Sequence, residues 1–156
     1  MASPKSNRID WRAPAALLAL SLVPVVAGIV RLHQLADGIP LKPDDARFFA
    51  SPMPVILHIV AATLYAPVGA LQFVPQLRDR KPWHRIVGRL VVACGIVTAL
   101  TGLWMTQFYP QIPTDSPLLY GIRLIVGLWM LASLILALVA IRQRDFQRHG
   151  DWMIRA

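Results

Sequence analysis

Four blocks of apolar residues, separated by short polar and proline-bearing stretches, set the pattern of this chain. The first runs from Ala13 to Val30 and is closed by Arg31. The second runs from Pro54 to Val74. The third, Ile86 to Phe108, is broken only by Arg89, and the fourth, Leu118 to Ile141, contains Arg123. A helix rises ~1.5 Å per residue, so roughly 20 residues cross a hydrocarbon core of ~30 Å. Each block is near that length. Apolar residues fill the blocks instead of forming one narrow stripe, so lipid must cover part of them. The pattern predicts an all-α, polytopic transmembrane helix bundle. It has at least four spans (13–30, 54–74, 86–108 and 118–141) within a single membrane domain over 1–156. Nothing alternates in polarity as the strands of a β-barrel would. Pro24 and Pro67 fall inside spans, where neighbouring helices satisfy the freed carbonyls. The first block has the flanks of a signal peptide, but it is long for that role and no small-x-small cleavage site follows it. An uncleaved anchor is expected.

Charge decides the orientation. Of the 16 lysines and arginines, twelve fall on one face. They are Lys5, Arg8 and Arg12 in the tail; Arg78, Arg80, Lys81, Arg85 and Arg89 around the second connection; and Arg142, Arg144, Arg148 and Arg155 in the last segment. Arg31, Lys42 and Arg47 lie on the other face. Positive residues stay cytoplasmic, so the N-terminus is expected inside. Arg78, Arg80, Lys81, Arg85, Arg89, Arg142, Arg144 and Arg148 are then expected to meet anionic lipid headgroups. This accounts for a net charge of +8 without nucleic acid. Composition agrees: 56% of residues are hydrophobic and 15% charged, against about 25% charged in soluble domains. The single cysteine, Cys94, sits in an apolar run and reads as a packing residue.

Within this frame a few residues could carry chemistry. His58, Tyr65 and Gln72 repeat by seven, drift only ~20° per step and share one helix face. Such a stripe serves interhelical hydrogen bonds or a ligand. Arg123 lies about as deep as His58 from the outer side, so the two could share a headgroup such as a quinone, unless Arg123 snorkels to water. His84 and His149 both lie at the cytoplasmic boundary, and two imidazoles at one depth are what a bis-histidine haem b needs. Each sits in a basic segment, and a solvated, lipid-facing collar of His84, Arg85 and Arg89 is the expected arrangement. Gly88, Gly95 and Gly102 also repeat by seven and suit close helix packing. Trp83 and Trp104 read as interface anchors. No catalytic residues, nucleophile–base pair or metal-ligand cluster stand out. Every acidic residue lies outside the spans, which argues against a proton-coupled transporter.

Several of these residues form a recurring set: His58; Gly69-Ala70-Leu71-Gln72-Phe73; Leu77-Arg78; His84-Arg85 with Gly88-Arg89; and His149 ahead of Trp152-Met153-Ile154-Arg155. Over about residues 55–156 the chain resembles a family of predicted bacterial membrane proteins, the domain of unknown function numbered 2306. The resemblance implies a polytopic helical fold and no particular reaction. The basic cytoplasmic segment 142–156 reads either as a short tail on the membrane surface or as the start of a fifth span, and the further spans that the resemblance implies favour the second. Gly150-Asp151 stands where a more basic pair would be expected. The expected function is that of a non-catalytic accessory or assembly subunit, bound to membrane lipids and to other membrane proteins or itself. A redox protein holding haem b or a quinone is the alternative, and a small transporter the third.

Overall fold

A computed structural model describes residues 11–38, 40, 42–74, 81–113 and 115–156, with the side chains of Arg12, Ala13 and Lys81 outside the description. Among the described residues every regular element is helical. The order is α1 (Arg12–Asp37), a 3-10 turn (Pro43–Asp45), α2 (Ala46–Ala50), α3 (Pro52–Leu71), α4 (Lys81–Phe108), α5 (Pro117–Arg142) and α6 (Phe146–Arg155). Four of these, α1, α3, α4 and α5, are long and apolar enough to cross a membrane.

The helices overrun the apolar blocks. α1 continues past Arg31 to Asp37, because a helix need not stop where hydrocarbon stops, and it ends at Gly38, whose φ of 73° is cheap only without a Cβ. Helices α3 and α5 each open with proline in the first turn, where the missing N–H costs nothing. Ser116 caps α5 by accepting from Leu119 N at 3.2 Å, and Asp145 caps α6 by accepting from Arg148 N at 3.0 Å. Between α5 and α6, Arg144 adopts a left-handed φ of 62° and reverses the chain.

Each long helix packs chiefly on the next one in sequence, α1 on α3, α3 on α4, α4 on α5, and α5 on α6. The arrangement is a row folded back and forth. Register follows from where added Cβ atoms would land: Gly102 faces His58, Gly95 faces both Tyr65 and Leu134, and Gly127 faces Leu103. Helices α3, α4 and α5 are therefore successively antiparallel. α6 also runs antiparallel to its predecessor. His149 meets Ala137 and Arg155 meets Trp129, so α6 returns alongside the spanning part of α5 instead of leaving it. The buried core lies along these seams, in Ala61, Ala70, Val91, Cys94, Ala99, Leu134, Ala137 and Ala140.

Two ends of the row result. One carries residues 38, 40, 42–51, 109–113 and 115–116 (the capped end). The other carries the last turn of α3, the first turn of α4 and the α5–α6 reversal (the arginine-rich end). Of the residues assigned to the latter from sequence, Lys5, Arg8, Arg78 and Arg80 lie outside the described residues.

Candidate functional site

His58 lies half-buried at the seam of α3 and α4. Gly102 leaves room for it: a Cβ there would lie 3.2 Å from His58 Cε1. His58 Nδ1 sits 3.0 Å from the Thr98 carbonyl and 3.1 Å from Thr101 Oγ1. A carbonyl only accepts, so Nδ1 must carry the proton and Nε2 the lone pair. Thr101 in turn donates to the Val97 carbonyl at 2.6 Å. One heptad away, Tyr65 lies against Gly95, where a Cβ would be 2.7 Å from Cε2 of its ring. The two seven-residue patterns seen in the sequence thus interlock, the larger side chains of α3 filling the gaps of α4. Gln72, the third of the stripe, has both amide atoms buried and without a hydrogen-bond partner among the described residues. Gly88 faces open space. Beside Thr101, the α3–α4 seam opens an apolar groove of about 260 Å³ lined by Met53, Pro54, Leu57, Leu100 and Trp104.

The capped end is held by charge. Asp115 accepts from Arg47 at 3.0 Å and from Arg123 at 2.8 Å, and its side chain is only 6% exposed. The Ile112 N–H points at the same carboxylate, at 3.4 Å. Burial pushes the Asp115 pKa up, but the hydrogen bonds from Arg47, Arg123 and Ile112 and the Arg123 charge outweigh it and hold the carboxyl below its usual range. Arg47 also donates to the Pro110 carbonyl at 3.1 Å. Arg31 pairs with Asp45 at 2.9 Å. The guanidinium carbons of Arg31 and Arg47 lie 4.6 and 4.9 Å from the centre of the Phe48 ring, a double cation–π contact. Phe48 meets Tyr109 edge-on at 5.4 Å, Tyr109 meets Trp104 at 5.6 Å, and the Tyr109 hydroxyl donates to the Ser51 carbonyl at 2.6 Å. Burial pushes the Tyr109 pKa up, against smaller pulls from a backbone hydrogen bond and the Arg47 charge.

The structure therefore separates His58 from Arg123. His58 is tied to α4, whereas Arg123 turns back to Asp115, whose other oxygen accepts from Arg47 of α2. Sequence reasoning found Arg123 and missed its acceptor Asp115, 8 positions before it, and the second arginine on that carboxylate, Arg47, which lies 68 positions from Asp115. The available signal was the co-location of both connections on the outer side.

At the other end, His149 Nδ1 lies 2.9 Å from the Ala137 carbonyl, which fixes the same tautomer as at His58. By the register of α4 on α5, His84 sits roughly 10 Å further toward the arginine-rich end than the His149 ring, and His58 roughly 15 Å in the opposite direction. No two of these histidines share a level. Arg85, Arg89, Arg142, Arg144 and Arg148 are exposed and form no ion pair among the described residues. No group of three or more histidine, cysteine or acidic residues converges on a possible metal position among the described residues.

The family model described as "Predicted membrane protein (DUF2306)" matches residues 55–156. No curated protein and no solved structure matches the chain.

Proposed function

The chain belongs to the DUF2306 family of predicted membrane proteins, and on that premise we propose that it is a non-catalytic accessory or assembly subunit of a bacterial inner membrane, packing against other membrane proteins. Its N-terminus is cytoplasmic in this reading, and its arginine-rich end meets anionic headgroups.

One observation carries the proposal. Helix α5 presents Gly121, Ile125, Leu128, Ala132, Ile135 and Val139 on a single outward face, spaced alternately by four and three. Ile125, Leu128 and Ile135 are exposed, and a Cβ at Gly121 would meet nothing. Small residues at two positions, with branched or long ones between, form a surface that another spanning helix can approach closely. The ionisable groups first suspected of chemistry are meanwhile spent internally: His58 on Thr98, Arg123 on Asp115, His149 on Ala137.

The test is extraction from native membranes in a mild detergent, followed by native electrophoresis and light scattering. The chain is expected in an assembly well above the 17.3 kDa of one copy, and Gly121→Trp or Ala132→Trp is expected to release it. A lone monodisperse monomer with catalytic turnover sinks the proposal.

A second reading is favoured by one specific feature. His58 and His149 each give Nδ1–H to a backbone carbonyl and keep an Nε2 lone pair, the tautomer of a histidine that binds metal or accepts a hydroxyl. Their different levels do not assemble a bis-imidazole haem site. A quinone needs one imidazole, and His58 with the neighbouring apolar groove fits it better. Organic extraction of the purified protein followed by ultraviolet spectroscopy decides this: a stoichiometric quinone lost in His58→Leu supports it, and an empty extract removes it.

A further inference from the structure

Helix α6 raises a solvation problem that the rest of the fold avoids. It lies against the spanning part of α5, with His149 on Ala137 and the Arg155 carbonyl accepting from Trp129 Nε1 at 3.2 Å. Trp129 is near the middle of the span Pro117–Arg142. Counting along α6, Asp151 lies roughly 8 Å and Arg155 roughly 14 Å below the level of Arg142. Both are exposed, as are Gln147 and Arg148. Arg148 is close enough to the end to turn its guanidinium to the headgroups, and Arg155 lies 4.9 Å over the Trp152 ring. Asp151 has neither escape. It carries its carboxylate on a single methylene and forms no ion pair among the described residues. Asp37, Asp44, Asp45, Asp115 and Asp145 all lie at helix ends or in connections. Hydrocarbon does not solvate an unpaired carboxylate, so a polar surface must cover this face.

Resting on the accessory-subunit reading, we propose that the cover is a second copy of this chain. The two copies pair through Gln147, Arg148, Asp151 and Arg155 about a two-fold axis along the membrane normal. Under that symmetry the two α6 helices run parallel at equal depth, and each Asp151 lies one turn from Arg148 and Arg155 of the other copy. The face thus supplies base, acid and base in a self-complementary order, at depths that match without adjustment. Ile154, 69% exposed, gives the same face an apolar rim. An unrelated helix would need charges placed at the same depths by coincidence.

Three measurements on the full chain test this. In lipid nanodiscs, the expected mass is that of two chains, each of 17.3 kDa. Asp151→Arg is expected to weaken association at least ten-fold, and adding Arg148→Asp and Arg155→Asp to it restores the dimer. Because charge reversal can impair folding, Gln147→Cys in a Cys94→Ser background provides an independent arm, with a disulfide-linked dimer expected in oxidised membranes. A dimer undiminished by a folded Asp151→Arg, or absence of the Gln147→Cys cross-link, overturns the proposal. A single copy bound to a different membrane protein in native membranes overturns it while leaving the accessory reading standing. A lone monomer there overturns both.

Discussion

The two ends of the helix row use the same residue for opposite purposes. At the capped end, Arg31, Arg47 and Arg123 are each paired with a carboxylate, and two of them also lie against Phe48. At the other end, Arg85, Arg89, Arg142 and Arg144 are exposed and unpaired among the described residues. The difference lies in the acids. Asp45 and Asp115 sit in connections that the capped end brings together, whereas at the arginine-rich end Asp145 caps α6 and Asp151, further along α6, forms no ion pair among the described residues. Cations with nearby carboxylates build structure, and cations without them stay exposed. Charge counting does not distinguish the two kinds, since it sums residues without placing their partners.

The largest effect that sharpens this contrast is expected at Asp115. Removing its charge in Asp115→Asn deprives Arg47, whose side chain is 16% exposed, and Arg123 of their common counter-charge and turns one acceptor oxygen into an NH2 donor. Breaking a well-buried pair costs 3–5 kcal/mol, and with Arg123 41% exposed the expected loss is about 2–3 kcal/mol. Thermal unfolding in detergent, followed by tryptophan fluorescence, measures it. A change below about 0.5 kcal/mol, the range of ordinary surface substitutions, would show the cap to be ornamental.

Acid gives a related but more gradual effect. The Asp115 carboxyl is held below its usual range, so its folded pKa is depressed. Its contribution is fully present above the unfolded value of about 4 and is lost as pH falls through the folded value beneath it. The difference in Tm between wild type and Asp115→Asn is expected to be constant from pH 7 to 5 and to shrink below pH 4. A gap that stays open at the lowest pH the fold tolerates contradicts the assignment.

How far the fold was legible follows from the range of each signal. Block length alone indicated four crossing helices, because hydrocarbon thickness constrains every span separately. The stripes His58–Tyr65–Gln72 and Gly88–Gly95–Gly102 were visible as periods, yet only packing shows that Tyr65 meets Gly95 and His58 meets Gly102. Periodicity places residues on a face but does not choose the partner helix. The return of α6 along α5 depends on Arg144 taking a left-handed conformation, which no pattern in Arg-Gln-Arg-Asp announces. The cap escaped for a similar reason: Asp115 gains meaning only beside Arg47.

The glycines of α4 give a smaller, graded test between the ends. A Cβ at Gly95 would lie 2.7 Å from an aromatic carbon of Tyr65 and 2.9 Å from Leu134 Cδ1, and the ring is hemmed in. Gly95→Ala is expected to cost about 1–3 kcal/mol by overpacking. At Gly102 the nearest atom is His58 Cε1 at 3.2 Å, so a slight ring shift absorbs most of the strain and under about 1 kcal/mol is expected. Gly88→Ala meets nothing and is expected to be neutral, or slightly stabilising through helix propensity. The order of the three Tm values is the measurement. A Gly88→Ala loss equal to that of Gly95→Ala would mean that the seam is set differently.

The smallest stability effect belongs to the arginine-rich end, and its smallness is informative. Arg142→Gln and Arg144→Gln remove exposed charges that have no ion-pair partner among the described residues. Each is expected to stay within about ±0.5 kcal/mol in neutral detergent. Arg144 with its positive φ tests the point most severely, because glutamine must adopt the same left-handed backbone, so replacing only the end of the side chain isolates charge from conformation. Lipid should separate the two ends again. In vesicles containing phosphatidylserine, juxtamembrane arginines near the surface contribute about 1 kcal/mol each through the surface potential, and that contribution weakens as salt rises. The double variant is therefore expected to match wild type in neutral micelles and to fall behind it by about 1–2 kcal/mol in anionic bilayers at low salt. Asp115→Asn should lose a similar amount in both. If the double variant also behaves identically in both media, these arginines do not meet headgroups, and the contrast between the two ends loses its physical basis.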